Sequence, residues 1–100
     1  MEQYHKLVRD KIPEILDAKG VSYERLLVQG EEYKSALIAK LQEEIVEFTE
    51  AGAMEELADI LEVVDALKAL PEYASVADVQ KKKHQERGGF AGGIVLKGEK

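Results

Sequence analysis

Leu37-Ile38-Ala39-Lys40-Leu41-Gln42-Glu43-Glu44-Ile45-Val46-Glu47-Phe48 is the stretch on which the fold turns. Leu37, Ile38, Leu41, Ile45 and Phe48 recur at helical spacing and form one apolar stripe, with charge between them. The pattern predicts a helix from about Glu31 to Glu50. Ala51-Gly52-Ala53 breaks it. A second helix is expected from about Met54 to Leu70, closing before Pro71 because a proline ring disfavours helical backbone in the residue ahead of it. So short a connection makes the two an antiparallel hairpin. The fold class that follows is mainly α, an antiparallel helical hairpin or bundle.

Toward the amino terminus, Lys6-Leu7-Val8-Arg9-Asp10-Lys11-Ile12-Pro13-Glu14-Ile15-Leu16 reads as a loop entering a short helix. Proline is tolerated in a first helical turn, and Gly20 is a natural stop. Val21 to Val28 is rich in β-branched and aromatic residues but alternates poorly, so it reads as a short strand or an irregular link. Beyond Pro71, Val76 to Gln85 can form a third helix, weakly amphipathic and basic at its far end. Arg87 to Gly93 carries too much glycine for a helix, and Ile94-Val95-Leu96 suits an edge strand that could pair with Arg25 to Val28. Short terminal β-strands therefore belong to the expectation. There is no internal repeat, and residues 1–100 are expected to form a single domain.

Composition narrows the function. A chain of 100 residues buries a modest core, so self-association is a reasonable expectation. A net charge of −6 argues against wrapping a nucleic-acid polymer, since such binding draws on clustered lysine and arginine. Without cysteine there is neither a disulfide framework nor thiolate chemistry. No apolar run reaches spanning length, so no membrane partner is expected, and the charged start Met1-Glu2-Gln3-Tyr4-His5-Lys6 does not resemble a signal peptide. These features together suggest a cytoplasmic protein.

The acidic residues carry the chemistry. On a helical wheel Glu44 lies at the margin of the first stripe, one turn before Glu47 and one turn after Lys40. In the second helix the apolar face comprises Leu57, Ile60, Leu61, Val63, Val64, Leu67 and Leu70; Glu56 projects inside that arc and Asp59 sits on its edge. A carboxylate aimed into an apolar interface costs several kcal/mol unless protonated, paired or coordinated. If the stripes pack together, Glu44 and Glu47 face Glu56 and Asp59, giving oxygen donors of the kind Mg²⁺ prefers, with Mn²⁺ as a substitute. The plainer reading is a solvated acidic surface supported by pairs to Lys40 and Lys68. Two acid pairs, each beside a core stripe, favour the cation. Glu43, Glu55, Glu62 and Asp65 point further from the core, and of these only Glu43 is kept as an extra ligand or a support behind the ligands.

Glu43-Glu44-Ile45-Val46-Glu47 followed by Glu56-Leu57-Ala58-Asp59 resembles the EExxE…ExxD signature of the MazG-like all-α nucleotide pyrophosphohydrolases. The opening Lys6-Leu7-Val8-Arg9-Asp10-Lys11-Ile12-Pro13 and the closing Lys83-x-x-x-Arg87-Gly88-Gly89-Phe90 resemble a phosphoribosyl-ATP-pyrophosphohydrolase-like branch of that superfamily. Only eight residues separate Glu47 from Glu56, a tighter hairpin than in many relatives, and the Pro-x-Gly-Ser-Tyr-Thr-like stretch of the histidine-pathway enzymes is absent. The resemblance implies Mg²⁺ held by Glu44, Glu47, Glu56 and Asp59 with Glu43 close by. It also implies hydrolysis of a nucleotide between the α and β phosphates, giving a nucleoside monophosphate and pyrophosphate, and assembly as a homo-oligomer, a dimer or tetramer, that completes the helical bundle between chains. Glu43, Glu44 and Glu47 are the catalytic candidates, the choice of general base among the carboxylates being left open.

Phosphate needs cations besides metal. Arg9, Lys11, Lys83 and Arg87 are the candidates, arginine offering a planar fork and lysine a flexible point charge. Lys81 and Lys82 read equally well as a solvated face. Gly88-Gly89 suits close backbone approach to a ligand or a plain turn; it is neither a Walker loop nor a dinucleotide fingerprint. His5 and His84 do not suggest a zinc site. Tyr4, Tyr23, Tyr33 and Phe90 could stack on a base, although packing is the simpler role. The alternatives to an enzyme are a non-catalytic acidic interaction module and a nucleotide sensor.

Overall fold

The computed structural model describes residues 6–99 and is mainly helical: α1 spans Ile12–Ala18, α2 Gly30–Ala51, α3 Met54–Lys68 and α4 Val76–Arg87, with a single 3₁₀ turn at Pro71–Tyr73. The chain divides into two compact units, residues 1–67 and 68–100. The first contains α1, α2 and nearly all of α3. The second contains the 3₁₀ turn and α4.

Proline starts α1 as expected, and Gly20, with φ +71°, lies just past its end, donating its N–H to the Asp17 carbonyl at 3.1 Å. The link that follows is tied back to α1: the Val21 N–H donates to the Leu16 carbonyl at 3.0 Å. The Tyr23 hydroxyl donates to Asp17 Oδ1 at 2.8 Å. That bond to Asp17 raises the Tyr23 pKa above its usual value.

The long helix α2 ends at Gly52, which adopts the left-handed conformation (φ 63°, ψ 20°) and donates its N–H to the Phe48 carbonyl at 2.7 Å. A left-handed residue at this position closes the last turn and redirects the chain, and glycine does so without the Cβ penalty. Only Gly52 and Ala53 separate α2 from α3. Along one straight helix Glu44 and Asp59 would stand about 22 Å apart at 1.5 Å per residue. Instead Lys6 and Arg9, three residues apart, pair with Glu43 of α2 and Asp59 of α3, so the chain reverses at Gly52 and the two helices form an antiparallel hairpin.

Leu37, 2% exposed, and Val63, 8% exposed, are the buried apolar side chains among the described residues. Around them Leu41 and Phe48 of α2, and Ile60, Val64 and Leu67 of α3, are half-buried. Ile38, Ile45, Leu57 and Leu61, all assigned to the inward stripes by the sequence pattern, are exposed. The inner line of α2 is Leu37, Leu41, Glu44 and Phe48, with Ile38 and Ile45 rotated off it by a single residue, about 100°.

The far end of α3 comes two residues earlier than expected, at Lys68, because Leu70 is already extended (φ −69°, ψ 137°) ahead of Pro71. Helix α4 runs two residues past the expected Gln85, to Arg87, and stops at Gly88, with φ 77°. No β-strand forms among the described residues. Val21 to Val28 and Ile94 to Leu96 are irregular, with Leu26, Leu27, Ile94, Val95 and Leu96 exposed, so these sequences have strand composition without a pairing edge. The expected terminal strands are thereby corrected to irregular segments.

Candidate functional site

Among the described residues one carboxylate is truly buried, and it is Glu44 rather than Glu56. Glu44 is 5% exposed. It stands seven residues after Leu37 and four before Phe48, which on a 3.6-residue helix is the core-facing position itself. Its Oε1 is 3.3 Å from the Lys40 ammonium, one turn back along α2. Its Oε2 is buried and has no hydrogen-bond partner. Burial pushes the Glu44 pKa above its ordinary value; Lys40 pulls against that shift, while the negative charges of Glu47 and Asp59 add to it.

The neighbouring carboxylate behaves in the opposite way. Glu43 accepts from the Lys6 ammonium at 2.8 Å and from Lys40 at 3.5 Å. The hydrogen bond from Lys6 is the main cause of its lowered pKa, burial opposing it. Lys40 thus serves two adjacent acids whose environments push their titrations apart, a pattern found where carboxylates take distinct roles.

Asp59, half-buried on α3, is bound by Arg9: Nη2 stands 2.6 Å from Asp59 Oδ1, and Nη1 lies 3.8 Å from Glu62. The segment from Lys6 to Arg9 is therefore a basic strap that pairs with α2 through Glu43 and with α3 through Asp59. A small cavity of about 120 Å³ lies under its start, lined by Lys6, Leu7, Ala36, Ala39, Lys40 and Glu43.

The structure brings Glu44, Glu47 and Asp59 into one electrostatic neighbourhood, with Glu43 beside it and Arg9 paired to Asp59. Glu47 is exposed, and Glu56 is half-exposed in the first turn of α3. Among the described residues no three acidic or imidazole side chains form a group that holds a metal ion as placed. What fits a hard cation is the enclosed Glu44 oxygen without a donor among the described residues, on which the charge of Asp59 from the facing helix also acts.

Of the expected phosphate ligands, Arg9 faces carboxylates, and Lys11 is exposed at the start of α1, where its carbonyl accepts from Ile15. Lys83 and Arg87 are exposed on α4, one turn apart, in the second unit. Two residues matter more than the sequence pattern suggested. Lys40 was legible as the i, i+3 and i, i+4 partner of Glu43 and Glu44, whereas the contact of Lys6 with Glu43 spans 37 positions and has no local signal. No family model matches the chain, and neither the curated proteins nor the solved structures contain a match to it.

Proposed function

We propose that the chain is a Mg²⁺-dependent nucleotide pyrophosphohydrolase of the MazG-like kind, cleaving the bond between the α and β phosphates. The observation that carries this reading is the buried Glu44 Oε2 with no donor, at a site where Glu47 and Asp59 add negative charge. A fold does not keep such an atom for stability, because an unsatisfied buried polar group costs about 1–3 kcal/mol. A divalent cation would satisfy it.

Glu44 and Asp59 would hold the ion, with Glu47 and Glu56 as further carboxylates on the same two helices. Mg²⁺, or Mn²⁺ in its place, supplies neutralisation of phosphate charge and acidifies the attacking water. Glu43, held by Lys6 and Lys40, stands beside the proposed ligands, where it would orient the attacking water. Lys40 fixes the spacing of Glu43 and Glu44 on their shared turn. Water adds, the bridging P–O bond breaks, and the products are a nucleoside monophosphate and pyrophosphate. The exposed apolar side chains Ile38 and Ile45 on α2, and Leu57 and Leu61 on α3, support assembly as a homo-oligomer that would cover them.

The test is pyrophosphate release from a panel of nucleoside triphosphates, with Mg²⁺ present or chelated, for the wild type beside Glu44→Gln. Release that needs metal and is lost in the variant is expected. Nucleotide binding without release from any member of the panel would instead favour a sensor.

A further inference from the structure

We infer that Arg9 is an exchangeable counter-ion of the carboxylate site: it takes a cation's place on Asp59, and cation binding releases it to the anion that follows. The inference rests on the cation site proposed above and adds an order of events to it. Its basis is a conflict in the geometry. Arg9 Nη2 lies 2.6 Å from Asp59 Oδ1, so the carboxylate that acts on Glu44 from the facing helix is already engaged by a positive charge. Glu44 Oε2, by contrast, has no donor among the described residues. The strap pairs with the outer acids Glu43 and Asp59, while Glu44 is paired through Oε1 to Lys40.

The strap is held in a way that permits exchange. The side chains of Arg9 and Asp59 are 53% and 38% exposed, and exposed ion pairs are worth about 1 kcal/mol or less. Arg9 also reaches Glu62 at 3.8 Å, a further partner outside the proposed ligand set. A divalent ion on Glu44 and Asp59 removes the charge that holds the guanidinium. An arginine fork released beside a cation meets a phosphate group with two parallel donors. By linkage, metal that displaces Arg9 raises the affinity for a phosphate anion, and the anion raises the affinity for metal by the same factor.

The chain lacks cysteine, so Val8→Cys, at a half-exposed position beside Arg9, accepts a single environment-sensitive dye. Mg²⁺ is titrated against this labelled protein while calorimetry records metal binding independently. The dye is expected to shift with the calorimetric midpoint. With Arg9→Ala added, the dye should start at its shifted value. In unlabelled Arg9→Ala, metal should bind up to about fivefold tighter. In the same variant inorganic pyrophosphate, offered with Mg²⁺, should bind roughly tenfold more weakly. Arg25→Ala, with the same change of net charge, should leave the metal midpoint where it was. Metal binding without any dye response overturns the exchange alone, as does equal tightening in the Arg25 variant or unchanged pyrophosphate affinity in Arg9→Ala. Absence of calorimetric binding overturns the cation site, and the exchange falls with it.

Discussion

Glu43 and Glu44 are adjacent in sequence, and their carboxyl groups are pushed in opposite directions. Glu44 holds its proton more tightly when folded than unfolded, because burial outweighs the ion pair with Lys40. Its ionisation therefore costs stability: the cost is absent below the ordinary value of 4.5 and complete above the raised folded value. Glu43 contributes the reverse. Its stabilisation by Lys6 is present above 4.5 and is lost as pH falls through the lowered folded value. Urea unfolding between pH 4 and 7 without metal should show Glu44→Gln to be the more stable protein, by about 1–3 kcal/mol at pH 7, with the gain shrinking as the solution is acidified. Glu43→Gln should lower stability at pH 7 and have little effect in acid. A Glu44→Gln protein less stable than wild type at neutral pH would mean that the ionised carboxylate is well satisfied in the native state.

Elements show more clearly how far the sequence could be read. The bounds of α2 were legible to within one residue at each end, because a long apolar period ran into Gly52. Which residues faced inward was less so. The wheel treated Ile38 and Ile45 as core because they are apolar, and Glu44 as marginal because it is not, yet the buried line passes through Leu37, Glu44 and Phe48. Hydrophobicity was allowed to define a face that geometry alone fixes. The strand expected at Ile94 to Leu96, and the strand alternative for Val21 to Val28, rest on composition, which reports how well a residue suits a sheet and is silent on whether a partner edge exists. The hairpin rests on Gly52. A Cβ there meets open space, so only backbone strain opposes it, and Gly52→Ala should destabilise by about 1–2 kcal/mol through the left-handed φ of 63°. Thermal melting measures this, and an unchanged melting temperature would show that the turn does not depend on glycine.

At the scale of the molecule, the candidate site is assembled from both ends of a long sequence separation. Arg9 to Asp59 spans 50 positions and Lys6 to Glu43 spans 37, so neither contact could be read from local spacing. Lys6 and Arg9 were visible as members of a motif, and the acids opposite them as members of another; only the fold joins the two. A second copy over Leu57 and Leu61 is the expected cover for the exposed apolar side of α3. Sedimentation equilibrium should therefore give two or four times the chain mass, and Leu57→Asp with Leu61→Asp should reduce it to one. Wild type sedimenting as a single chain would remove the oligomer from the account.

In the proposed function Glu44 is buried for a cation, and thermal melting of wild type and Glu44→Gln across millimolar Mg²⁺ tests this. A ligand that binds the folded state raises the melting temperature with concentration. Wild type should start lower than the variant and rise with metal, while Glu44→Gln should start higher and stay flat. Equal shifts in the two proteins, or none in either, would contradict it.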